Sequence, residues 1–281
     1  KLLELLDALE EADTSRRAAQ IDKDGNVTLS SEIPAGKPAA EKSAEDGTGE
    51  SQPLYMSLNH VMEYYIFAYY FQPATEVRCT DIPYGEYYRT YGQLALSMQK
   101  YNGAKKAYER AIAWNPVDLD AYLGLAEVYK YQNQREKYLT VTKQAYRYCC
   151  TRATMARYYR NMAFYYLSGY EPETARACYQ YSNVYYHTEN ADSELKYISE
   201  AIQQETPQTD IRAIQKLFDE KQIEPGPDSQ TIGIVYKVGE ILLKDGDYKL
   251  AKDCYSIVYD ITQDAAAEKM LNELEAAISG S

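Results

Sequence analysis

One spacing constrains this chain more than any other feature. Counted from Gly92, a small residue follows twelve positions on (Ala104), an aromatic sixteen on (Tyr108), a second small residue nineteen on (Ala111), and Pro116 closes the unit at twenty-four. The same offsets give Tyr138, Thr142, Ala145 and Cys150 from Ala126, 34 residues later. From Ala163 they give Ala175, Tyr179, Ser182 and His187, and from Gly239 they give Ala251, Tyr255, Val258 and Gln263. Small residues at the anchor and twelve later suit two helices that cross closely, with large rings locking onto the next pair. A single hairpin cannot bury such a face alone, so at least three must stack.

Tyr88, Tyr122 and Tyr159 stand four residues before their anchors, and Tyr129 and Tyr166 three after. Together these residues resemble the tetratricopeptide repeat. The resemblance implies an all-α fold, a right-handed α-α superhelix (TPR solenoid) of about five helix pairs with a capping helix. It places repeats near residues 85–118, 119–152 and 156–189, an irregular unit at 190–231, a further repeat at 232–263 and the capping helix at 264–278. The 37 residues from Ala126 to Ala163 imply a three-residue extension near residues 149–153. Turns within hairpins are expected at Lys100-Tyr101-Asn102-Gly103 and Asp245-Gly246-Asp247-Tyr248. The likeness extends loosely to bacterial tetratricopeptide proteins in which a degenerate unit precedes a good last repeat.

Before the repeats, Leu2, Leu5, Leu6 and Leu9 recur at helical period with Glu4, Asp7 and Glu10 on the other face, so residues 1–21 read as an amphipathic helix. Residues 22–53 turn rich in Gly, Pro, Ser and Glu and read as a flexible linker or extended loop, ahead of a helical domain over 54–281. Tyr55 to Phe71 is apolar nearly all round and suggests a buried helix ended by Pro73. Asp22-Lys23-Asp24-Gly25-Asn26-Val27 resembles the middle of a calcium loop, but Gln20 and Ser31 occupy its first and last positions, which favours a plain turn. The chain begins at Lys1, so a preceding leader or anchor is left open.

Composition narrows the function classes. Tyrosines number 31 against 4 phenylalanines, so tyrosine fills core positions and each hydroxyl must reach water or a partner, as a thin repeat architecture allows. A net charge of −12 repels phosphate backbones and argues against nucleic-acid binding. The five cysteines are odd in number, lack Cys-x-x-Cys spacing and include the adjacent Cys149 and Cys150, pointing to a reducing, cytoplasmic setting. No apolar run approaches the ~18 residues of a membrane span. His60 and His187 lie far apart, and no metal cluster, phosphate loop or nucleophile elbow is present in the sequence, so neither a metal, a cofactor nor enzymatic activity is expected.

The resemblance also implies a concave groove lined by the first helix of each pair, at positions six and three before the anchor and one after. These are Glu86, Arg89 and Gln93, then Asp120, Leu123 and Glu127, then Arg157, Arg160 and Phe164. Arg157 and Arg160, one turn apart, look like part of the carboxylate clamp by which some family members hold a partner's acidic C-terminus. Two positions depart from it: Gly124 where an Asn is expected, and Asn161 where a second basic residue is expected. The plain alternative is a solvated face whose arginines pair with Glu86 or Asp120. Tyr158, Tyr159, Tyr165 and Tyr166 follow core positions, whereas Tyr131 and Tyr236 are candidates for ligand contact. The leading expectation is a scaffold binding a protein or peptide in the groove. A sensor of a peptide or metabolite and a structural module self-associating through the N-terminal helix are the alternatives.

Overall fold

The computed structural model describes residues 1–13, 17–30 and 53–279 and forms two compact units, Lys1–Lys137 and Tyr138–Ser281. The first unit contains α1 (Leu2–Ala12), β1 (Ala19–Ile21), β2 (Val27–Leu29), β3 (Leu54–Met56), α2 (Val61–Phe71), β4 (Val77–Cys79), α3 (Tyr84–Ser97), α4 (Tyr101–Trp114) and α5 (Leu119–Tyr131). The unit boundary falls inside α6 (Arg135–Tyr146). The second unit continues with α7 (Arg152–Ser168), α8 (Pro172–Tyr185), α9 (Glu189–Ile202), α10 (Ile211–Lys221), α11 (Ser229–Lys244), α12 (Tyr248–Thr262) and α13 (Ala265–Ser279). The expected all-α class is observed. Strands are three residues long, and none follows Cys79 among the described residues.

The two glycine anchors pack as close approaches, and Ala104 and Ala251 twelve residues on are fully buried. A side chain added at Gly92 would meet the ring of Tyr108 at 2.9 Å, and one at Gly239 would meet Tyr255 at 3.1 Å, so the aromatic sixteen later lies nearest the anchor. Tyr108 is held from a second side too: a Cβ at Gly124 would come within 2.3 Å of it. No side chain fits there, which explains why Gly124 stands where the clamp pattern has Asn. Leu123 is buried at 3% exposure and so joins the core, not an open groove face.

Several local features differ from expectation. The hairpin turn of α3 and α4 falls earlier than expected: Gln99, four residues before Gly103, takes the left-handed conformation at φ 57°, and Gly103 lies inside α4. The second turn is as expected, with Gly246 at φ 83° and Asp247 capping α12. The extra residues before Ala163 are absorbed largely by α7, which begins at Arg152 behind a Thr151 capping box and runs 17 residues against 13 in α5. The helix expected over 1–21 ends at Ala12, and the end of that stretch joins the start of the expected linker in a β-hairpin, in which Ala19 pairs with Leu29 and Ile21 with Val27. Its turn is tied by Asp22, whose Oδ1 accepts from the amides of Asp24 and Asn26 at 2.8 and 2.9 Å, so this calcium-like segment is a plain turn. The rest of the expected linker, 31–52, lies outside the described residues. Likewise the apolar run at 55–71 is a strand followed by a helix; β3 pairs in parallel with β4, and α2 buries only Ile66 and Phe67.

Several buried tyrosine hydroxyls find partners, although that of Tyr255 has none among the described residues. Tyr122 donates to the carbonyl of Pro116 at 2.9 Å and Tyr138 to that of Asn161 at 3.1 Å. In the second unit Tyr159 donates to the Glu224 carbonyl at 2.8 Å and Tyr181 to that of Pro225, which stitches the irregular 222–228 segment onto α7 and α8. Phe218 of α10 stacks on Tyr159 at 5.6 Å, and both are fully buried. Tyr158, Tyr159 and Tyr166 are buried, in keeping with a packing role.

Candidate functional site

In the first unit, Arg89 projects from α3 toward the turn between α4 and α5. Asp118 caps α5 there, its Oδ1 accepting from the Ala121 amide at 3.2 Å. The guanidinium of Arg89 donates to Asp118 at 3.3 Å and to Asp120 at 3.4 Å. Asn59 bridges this pair to a second carboxylate, donating to Asp118 at 3.2 Å and to Glu63 at 3.1 Å. Glu63 closes the capping box of α2 and also accepts from Asn115 at 2.8 Å. Burial pushes the Asp118 carboxyl up to about 6, Arg89 opposing and Glu63 reinforcing that rise. Nη1 of Arg89 is therefore committed to two carboxylates of its own unit.

Arg157 and Arg160 occupy one face of α7 in the second unit. Neither has a carboxylate within ion-pair distance among the described residues. Arg160 donates to the Tyr186 carbonyl at 3.5 Å, and Arg152 to that of Val184 at 2.8 Å, so two cations sit at the C-terminal end of α8, where the helix dipole favours them. Burial, then the charge of Arg157, pushes the Arg160 guanidinium below its ordinary value. A cation raised in energy by a like neighbour gains from an incoming anion. Phe164, one turn further along α7, rests edge-on against Tyr138 at 5.3 Å and is partly exposed beside the arginines.

The other expected contact residues have separate settings. Gln93 is exposed on α3. Tyr131 is 59% exposed and stacks on Tyr101 at 5.4 Å in the first unit. Tyr236 packs edge-on against Tyr255 at 5.2 Å in the second. The sequence reading passed over Asp118, Asn59 and Glu63. An Asp directly before the helix at Leu119 signals a cap, but its pairing with Arg89 depends on the hairpin's three-dimensional closure. All five cysteines are free thiols. Among the described residues no cluster could hold a metal, and no helix is long and apolar enough to cross a membrane.

Helix pairs with small and aromatic residues at fixed offsets define an all-α helical-repeat protein. Residues 85–118 match the family model described as Tetratricopeptide repeat. That match covers the α3–α4 hairpin and Asp118, so the chain contains a segment similar to one tetratricopeptide repeat. No curated protein sequence matches it. Among solved structures it is similar to the APC/C hetero-tetramer Cut9-Hcn1, with 14% identity and a TM-score of 0.40 over 70% of this chain and 38% of that one. It thus spans well under half the length of that relative. It is also similar to pilF of Pseudomonas aeruginosa, with 15% identity and a TM-score of 0.38, covering 70% of this chain and 85% of that one. A third is YrrB, described as a TPR protein with an unusual peptide-binding site, with 15% identity and a TM-score of 0.35, covering 69% of this chain and 92% of that one.

Proposed function

We propose that this chain is an interaction scaffold whose second unit holds an acidic peptide segment, or a peptide's C-terminal carboxylate, on α7 through Arg157 and Arg160. The observation that carries the reading is that, among the described residues, no carboxylate lies within ion-pair distance of these two neighbouring arginines, in a chain whose net charge is −12. Guanidinium forks one turn apart suit the two oxygens of a carboxylate, and charge-assisted bonds of this type are about twice as strong as neutral ones. Phe164 supplies an apolar contact beside them, and Tyr236 is a further contact in the same unit. In the first unit, the exposed Gln93 and Tyr131 are the contact residues of this reading, while Arg89 serves to hold its own unit together.

Fluorescence anisotropy with three labelled peptides tests it: one with an acidic tail and free C-terminus, its amidated form, and a neutral control. The acidic peptide should bind at least ~10-fold more tightly than the neutral one, with the preference abolished in Arg157→Glu/Arg160→Glu. Equal affinity for all three peptides, or an unchanged preference in the double variant, sinks the reading.

A further inference from the structure

Helix α2 is started by an unusual side chain. Asp caps α5, α10, α11, α12 and α13, and Thr caps α7 and α9. At α2 the cap is His60, whose ring nitrogen Nδ1 accepts from the Met62 amide at 3.1 Å. A carboxylate or a hydroxyl keeps an accepting oxygen whether the solution is neutral or mildly acidic. An imidazole accepts only while its nitrogen is bare, and the protonated ring has two donors and no acceptor. Among the described helices that carry a side-chain cap, α2 is therefore the one whose cap a single proton removes near neutral pH.

The surroundings decide what that proton does. α2 buries only Ile66 and Phe67, and its N-terminal end is joined by hydrogen bonds to the turn before α5. The charged groups around this end are Glu63 of α2 itself, Asp118 ahead of α5, and Arg89 of α3, which bonds both Asp118 and Asp120. Glu63 is already occupied. Its Oε2 accepts from the Asn59 amide at 2.7 Å, the Asn115 side chain at 2.8 Å and the His60 amide at 3.3 Å, and its Oε1 from the Asn59 side chain at 3.1 Å. Asp118 is engaged by Arg89, Asn59 and the Ala121 amide. An imidazolium at position 60 thus leaves the Met62 amide without its acceptor and places a cation at the positive end of the helix dipole. It gains a carboxylate only by displacing the asparagines that join α2 to the turn before α5. We propose that His60 is a pH-sensitive latch: its neutral ring closes the first turn of α2, and protonation on mild acidification releases that turn from the α4–α5 junction. The sign follows from the form that caps, so this contribution is present while the ring is neutral and is lost as pH falls. Asp118, which burial holds at about 6, stabilises the fold in the opposite sense, so the two sides of the junction respond to acid in opposite directions.

Hydrogen exchange of the Met62 amide, followed by NMR on the full chain and corrected for the intrinsic effect of pH, tests this at pH ~7.5 and pH ~5.5, which bracket the usual imidazole range. In wild type the protection should fall ~5-fold at the lower pH, the loss expected when one helix cap is removed. His60→Asn keeps a capping oxygen that no proton removes in this range, so its protection should be the same at both pH values. His60→Ala should show the lowered protection at both. All three proteins share Glu63 and Asp118, so a difference between them belongs to position 60. Amides in the middle of α4 report whether each variant is folded. Equal protection of wild type at the two pH values, or a fall in His60→Asn as large as in wild type, would overturn the proposal.

Discussion

Arg89 and Arg160 occupy the same position, three residues before their anchors, on the first helix of their hairpins, yet their fates differ. Arg89 is 19% exposed and bonded to Asp118 and Asp120; Arg160 reaches only a carbonyl and stands beside Arg157. The difference traces to the residue that caps the next helix. Asp118 caps α5, whereas Thr188 caps α9, its hydroxyl accepting from the Ala191 amide at 3.3 Å. Both are good caps, so helix formation alone does not choose between them. In the first unit the charged cap ties the preceding hairpin's arginine; in the second the cap is a threonine and carries no charge to do so.

The largest effect should come from breaking the internal tie. Arg89→Met leaves Asp118, 2% exposed on its side chain, without its cation, and losing one partner of a buried pair costs about 3–5 kcal/mol. Trp114, the only tryptophan, is buried in the first unit and stacked on Tyr84 at 4.6 Å, so its fluorescence reports this unit during urea unfolding. Adding Asp118→Asn should restore most of the loss, since Asn keeps the cap and removes the charge. A variant as stable as wild type would show that Arg89 is as free as Arg160.

A second effect, of ~3 kcal/mol, concerns pH. Asp118 is held at about 6, above the ~3.9 of an unfolded chain, so the folded state binds its proton more tightly. This contribution to stability is fully present below pH ~4 and is lost as pH rises through 6, which makes the group a net liability at neutral pH. Measured by tryptophan fluorescence, wild type should gain ~2 kcal/mol relative to Asp118→Asn on going from pH 7 to pH 4, most of the full ~3 kcal/mol. Parallel profiles for the two proteins would place the Asp118 carboxyl in an ordinary, water-like setting.

The comparison also shows what a one-dimensional reading reaches. Helix pairs were legible because small and aromatic residues recur at fixed offsets whatever their partners; even the irregular unit at 190–231, which holds α9 and α10, follows from the room left between Ala163 and Gly239. The turn at Gln99 was not legible, because glycine at 103 is the stronger local signal and the left-handed conformation is instead taken by a glutamine. Nor was the β-hairpin at 19–29, whose strands are three residues each and are stabilised by contacts with α4 distant in sequence. Among the candidate contact residues, position within the repeat identified which side chains share a face. It did not identify which carried a counter-charge, because that charge comes from the cap of another helix. The docking of α1 through its acids escaped for the same reason: Asp7 and Glu10 are matched by Lys106 and Arg110, about a hundred residues away.

The smallest expected effect is also the sharpest on the cause. If the cap's charge sets the arginine's fate, Thr188→Asp should supply the second unit with the equivalent of Asp118 and draw Arg160 into an internal pair. Asp is as good a cap as Thr, so far-UV circular dichroism and thermal stability should change by less than ~1 kcal/mol. Affinity for the acid-tailed peptide should nevertheless fall about tenfold, or ~1.4 kcal/mol, because the carboxylate must compete with one already in place. Thr188→Asn, which keeps the capping oxygen without the charge, should bind as wild type does. Equal weakening by both substitutions would assign the loss to the altered cap geometry, and the contrast between Arg89 and Arg160 would then need another cause.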